Sequence, residues 1–166
     1  MRSNAPELHR TLPVVIIGYG STLRGDDGLG WYAAQKLSEL TSSKVHVVAC
    51  HQLTPELAED ISWAQRVVFI DAARNLPAGE IRCNPLAATA LAQPVRPFSY
   101  SHSLSPIDLL ALCRELYGRS PQAFLISVGG GDFSQRTNVS ERVANIFDTL
   151  ITLVKSLVSK TAWNPL

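Results

Sequence analysis

Short apolar runs alternate along this chain with stretches of helical period, and that alternation is its tightest constraint on fold. Residues 12–17 (LPVVII) and 123–128 (AFLISV) are continuous apolar runs of strand length. Such runs suit strands buried on both faces, as in a parallel sheet. Residues 45–50 (VHVVAC) and 66–71 (RVVFID) read as two more strands, the second ending on a carboxylate. Between them, residues 29–40 place Leu29, Ala33, Leu37 and Leu40 on one helical stripe, with Gln35, Lys36 and Glu39 off it. Residues 55–63 suggest a short helix with Thr54 as N-cap and Pro55 at its first position. Ser105-Pro106 opens another helix, through Tyr117, by the same logic. Residues 140–158 put Val143, Ile146, Phe147, Leu150, Val154 and Leu157 on one face of a last helix. A short strand at 80–84 and a loop marked by Pro94 and Pro97 complete the order. The pattern predicts a three-layer α/β/α sandwich with a mostly parallel, about five-stranded twisted sheet. The chain of 166 residues is too short for two ordinary domains. A single domain over residues 12–160 is expected, with 1–11 and 161–166 as flexible tails.

Charge narrows the partners. Fifteen Lys and Arg against 14 Asp and Glu give a net charge of +1, so no global field draws in nucleic acid or an anionic membrane. Specificity must then come from a local site. The polar N-terminus, with Glu7, lacks the basic and apolar regions of a signal peptide. No apolar run approaches the ~20 residues needed to cross a bilayer. Cys50, Cys83 and Cys113 are odd in number and lack CxxC spacing, which argues against a disulfide framework and a structural zinc site. A soluble protein of the reducing cytoplasm is the expectation.

In a sheet of this kind ligands collect at the carboxyl ends of the strands. The loop after the first strand, Asp71, and the loop before the Ser105 helix are thereby expected on one rim. The first of these loops, Gly18 onward, reads GYGSTLRGDDGLG. The dinucleotide pattern GxGxxG fails at Leu23, and in a GxxxxGK[ST] register Asp26-Asp27 replace the lysine and hydroxyl. Two carboxylates at a helix start repel phosphate, so a nucleotide-binding reading is disfavoured. They suit a cation or a water to be deprotonated. One of the pair is expected to cap the helix and complement its dipole, leaving the other free to point elsewhere.

These residues resemble the maturation endopeptidases of nickel-iron hydrogenases, whose pattern is GxGN-x(4)-DDGxG or DEG directly after the first strand. Spacing and both acids match, while Ser21 stands where asparagine is usual. The resemblance extends to Asp71 in VVFIDAAR and to His102 in SYSHSLSPIDLLALC, covering about residues 14–154. It implies an endopeptidase that removes a C-terminal extension from a hydrogenase large-subunit precursor once nickel has been inserted. It also implies Asp27, Asp71 and His102 as a metal-binding and catalytic trio. Carboxylates with imidazole suit borderline divalent ions, and three ligands leave coordination positions open. The nickel would be carried by the substrate, and another divalent metal could occupy the same site. A monomeric, aspartyl-type, cytoplasmic peptidase that meets its precursor transiently is expected.

No serine or cysteine nucleophile motif is visible, which favours water attack on a metal-polarised carbonyl with Asp27 or Asp71 as base. A non-proteolytic metal- or protein-binding module on the same scaffold is the alternative. Cys50 and His51 are strand neighbours facing opposite ways, so a thiol–imidazole pair is disfavoured, and His9 and His46 are weak ligand candidates. Cys113 falls on the apolar side of its helix. Gly129-Gly130-Gly131 and the following polar residues are expected to form a flexible, substrate-facing loop. That loop and Ala72-Ala73-Arg74-Asn75 depart from the commonest family forms, in segments expected to meet the substrate.

Overall fold

The computed structural model describes residues 12–86 and 104–160. The two expected tails, His9, the Pro94 and Pro97 loop and His102 lie outside the described residues. Strands are β1 (Leu12–Tyr19), β2 (Val45–Cys50), β3 (Ala64–Ala73), β4 (Ile81–Leu86) and β5 (Gln122–Gly129). Helices are α1 (Leu29–Leu40), α2 (Leu57–Ser62), α3 (Pro106–Tyr117) and α4 (Glu141–Ser159), with a 3₁₀ turn at Gly25–Gly28 leading into α1. The sheet order is β2-β1-β3-β5-β4. The β1–β2, β1–β3 and β3–β5 pairs are parallel, while β4 runs antiparallel to β5 at the edge. That edge position accommodates Pro85, whose missing N–H would break a ladder inside the sheet.

The continuous apolar runs are explained by helices on both faces. Val14, Ile16, Val68, Ile70, Phe124, Ile126 and Val128 point to one face, where α1 contributes Leu29, Ala33 and Leu37 and α4 contributes Val143, Leu150 and Val154. Val15, Ile17, Val67 and Phe69 point to the other face, against Leu57, Ala58 and Ile61 of α2 and Leu109, Leu110 and Cys113 of α3. Alternate residues of one strand thus enter two different cores, which leaves the central strands no polar face.

The helix starts follow local chemistry in part. Ser105 caps α3 in a reciprocal capping box, accepting from the Asp108 N–H at 3.2 Å while Asp108 accepts from the Ser105 N–H at 3.0 Å. Pro106 opens that helix and Gly118, at φ +63°, closes it. Thr54 does not cap α2, which begins only at Leu57. Instead Leu57, Ala58 and Glu59 donate their N–H groups to the carbonyls of Thr54, Pro55 and Glu56, so a tight turn precedes the helix. β3 runs past residue 71 to Ala73, because β5 continues the ladder to the Ala73–Gly129 pair.

Candidate active site

From β1 the chain passes to α1 on one face of the sheet, and from β3 it leads on, by way of β4, to α3 on the other. The carboxyl ends of these neighbouring strands therefore flank a crevice, the usual ligand position in an open α/β sheet. Two glycines let the chain close tightly around it. A Cβ at Gly30 would overlap the carbonyls of Ile70 and Tyr19, so only glycine lets α1 start directly against both strand ends. Gly20 has φ +139°, and a Cβ there would overlap the Asp27 carbonyl.

Tyr19, Asp27 and Asp71 meet at this point. The Ser21 N–H donates to Asp27 Oδ2 at 2.8 Å, fixing that carboxylate against the β1 loop. Asp71 is half-buried and hydrogen-bonds to the Tyr19 hydroxyl and the Ala72 N–H. Burial is the chief cause raising the Asp71 pKa; those two hydrogen bonds oppose it and the Asp27 charge adds to it. The outcome is a carboxyl pushed up to about 6. Tyr19 is held well above its ordinary value, first by burial and then by the Asp71 charge, so it remains a neutral donor.

Asp26 does something different. It is fully buried and accepts four hydrogen bonds: from the N–H groups of Gly131 (2.7 Å), Asp132 (2.9 Å) and Ser140 (2.6 Å), and from the Ser140 hydroxyl (2.8 Å). Burial works to raise its pKa, but these donors together outweigh that and hold it below the ordinary carboxylate value. The expected capping of α1 is therefore corrected: that helix has no side-chain cap, and Asp26 reaches across to the start of α4. Ser140 in turn makes no side-chain cap to its own helix, its hydroxyl being committed to Asp26.

The expectation of a flexible loop after β5 is also corrected. Besides the Asp26 contacts, Gly25 donates to the Arg136 carbonyl at 2.8 Å, Arg136 to the Leu23 carbonyl at 3.1 Å, and Asp26 to the Asp132 carbonyl at 2.8 Å. The loops after β1 and β5 are zipped together through their backbones. Asp132 is tied down as well. The Ser134 hydroxyl, its N–H and Arg136 hold it low, at about 2.

Asp27 and Asp71 are thus brought together, while His102 lies outside the described residues. Among the described residues no three His, Cys, Asp or Glu side chains form a metal-holding group. The two carboxylates fit a cation chemically, since their mutual repulsion and the desolvation of Asp71 are both relieved by positive charge. Sequence reasoning missed Tyr19, whose role depends on Asp71 of the adjacent strand; its only local signal was position, directly before Gly20 at the strand end. His51 stacks on Trp31, with ring centroids 6.5 Å apart, and does not pair with Cys50. Cys113 is buried in the α3 core, as expected. A depression of about 330 Å³ at Ala64, Gln65 and Gly118–Pro121 lies at the opposite end of the strands, away from these carboxylates.

No family model matches the sequence, and no curated protein does. Solved structures do. The [NiFe] hydrogenase maturation protease HycI from Thermococcus kodakarensis KOD1 aligns over 90% of this chain and 94% of its own, at 24% identity and a TM-score of 0.70. HybD from Thermococcus kodakarensis, also a [NiFe] hydrogenase maturation protease, aligns over 89% and 99%, at 22% identity and a TM-score of 0.69. The hydrogenase maturating endopeptidase HybD from E. coli aligns over 87% and 90%, at 15% identity and a TM-score of 0.68. This chain has their fold. The α/β sandwich expected from the strand and helix pattern is thereby matched along nearly the whole length. Among the described residues no helix is long and apolar enough to cross a membrane.

Proposed function

We propose that this protein is an endopeptidase that removes the C-terminal extension of a nickel-iron hydrogenase large-subunit precursor after nickel insertion. The observation that carries the reading is the Asp27–Asp71 pair, set at the crevice of a fold whose solved examples include named maturation endopeptidases. The sequence match at GDDG adds to it.

In this reading the nickel belongs to the precursor, and Asp27, Asp71 and His102 are the donor set that meets it; another divalent ion could take the same place. A bound divalent ion supplies polarisation of the peptide carbonyl. The chain's own groups do the rest. Asp71, poised at about 6, is suited to accept a proton from water near neutral pH. Tyr19 fixes the direction of that carboxylate, and Ser21 fixes Asp27. Water attack assisted by carboxylates makes the enzyme aspartyl-type in function. A monomer acting in the cytoplasm on one transiently bound protein partner completes the proposal.

The test is incubation of the full chain with a nickel-loaded large-subunit precursor, followed by mass measurement of the C-terminus. Loss of the extension is expected. Asp27→Asn and His102→Ala should abolish it with the fold intact; full activity in both variants removes the trio. Stable binding without cleavage by the parent protein would favour the non-proteolytic module.

A further inference from the structure

Three residues beyond Asp71, Arg74 is exposed, and its guanidinium lies over the Phe133 ring, 4.0 Å from the centroid. A guanidinium held over a ring through its flat face keeps its N–H edge available, the edge that matches a carboxylate in bidentate fashion. Among the described residues that edge has no acidic partner. Asp132, next to Phe133, is committed to Ser134 through Oδ1 and to Arg136 through Oδ2, the latter at 2.7 Å. The segment between β4 and α3, residues 87–103, contains no Asp or Glu at all.

The mounting is rigid. Gly130 donates its N–H to the Ala73 carbonyl at 3.0 Å, joining the strand end that carries Arg74 to the loop that carries Phe133. A side chain at Gly130 would run into the Phe133 ring, so the ring packs directly on the backbone there. The same loop is fastened to Asp26 through Gly131 and Asp132. A long cationic side chain on the surface ordinarily loses rotamer freedom on binding; here that loss is already met by the stack.

We propose that Arg74, braced on Phe133, reads a carboxylate of the polypeptide substrate beside the Asp27–Asp71 crevice and sets which C-terminal extension is accepted. This rests on the endopeptidase reading. A carboxylate approaching two acidic residues needs a nearby cation to offset them, and Arg74, three residues past Asp71, supplies one. The carboxylate comes from an Asp or Glu side chain of the extension or from its terminal α-carboxylate.

The experiment compares the parent chain, Arg74→Gln, Arg74→Lys and Phe133→Leu on the nickel-loaded precursor, with thermal melting as a folding control. Two altered precursors separate the sources: one with the extension's Asp and Glu replaced by Asn and Gln, one with a C-terminal carboxamide. Arg74→Gln should raise KM about tenfold, the scale of one exposed charge-assisted contact, with kcat within about twofold. Arg74→Lys and Phe133→Leu should fall between Arg74→Gln and the parent. One altered precursor should show the same rise with the parent enzyme and none further with Arg74→Gln, which a merely structural arginine would not produce. An unchanged KM for Arg74→Gln, or penalties that multiply, overturns the inference. Precursor dissociation constants are measured alongside. Should the parent bind without cleaving, the endopeptidase reading fails while an Arg74→Gln loss of affinity still supports the contact. Equal affinities, or no binding by the parent, overturn it.

Discussion

Replacing Asp71 by asparagine should stabilise the metal-free protein at neutral pH while abolishing its activity. Burial, opposed by the Tyr19 and Ala72 hydrogen bonds and reinforced by the Asp27 charge, raises the Asp71 pKa from 3.8 to about 6. At 1.36 kcal/mol per pH unit, ionised Asp71 costs the folded state up to about 3 kcal/mol. Asparagine keeps the shape and can still accept from Tyr19, but carries no charge. The sign follows from proton binding. Between pH 3.8 and about 6 the folded state holds the proton more tightly than the unfolded one, so this group's contribution to stability falls as pH rises through that window. Below it both states carry a neutral carboxyl and the penalty vanishes. Urea unfolding of parent and Asp71→Asn, with chelator present, should give closely similar stabilities near pH 3.5 and a growing advantage for the variant that levels off above pH 6. A variant equal to or weaker than the parent near pH 8, or an advantage independent of pH, would refute the electrostatic account of this site.

Two further substitutions probe the frame around it. Asp26→Ala leaves three part-buried backbone N–H groups and a hydroxyl without their acceptor, and should cost about 2–4 kcal/mol in urea unfolding. Because the folded Asp26 pKa is depressed, the charge-dependent part of its contribution is present above pH 3.8 and lost as pH falls below that, so the gap between parent and variant should narrow in acid. Gly30→Ala drives a methyl into the Ile70 and Tyr19 carbonyls and should lower stability by about 3 kcal/mol or more, read as a fall in melting temperature; a neutral result would mean α1 can back away from the strand ends.

What the amino-acid order determined by itself was local. The bounds of α1, β2 and α3 follow from apolar period, β-branched runs and the Ser105-Pro106 cap, signals contained within a few residues of each element. The acidic glycine loop marked the strand-end rim for the same reason. Tertiary structure alone decided how distant groups met. The strand order and the reversed direction of β4 depend on which edges pair, and α2 began late because a tight turn took the first N–H groups that Thr54 was expected to cap. Adjacent in sequence, Asp26 and Asp27 are indistinguishable by local chemistry, and only the family resemblance singled out Asp27. Folding sent one to fasten the loop after β1 to the loop after β5 and set the other opposite Asp71, because hydrogen-bond donors from residues 131–140 surround only the first. Tyr19 acquired its acidic partner only when β1 and β3 became neighbours, a pairing between segments some fifty residues apart that no local pattern encodes.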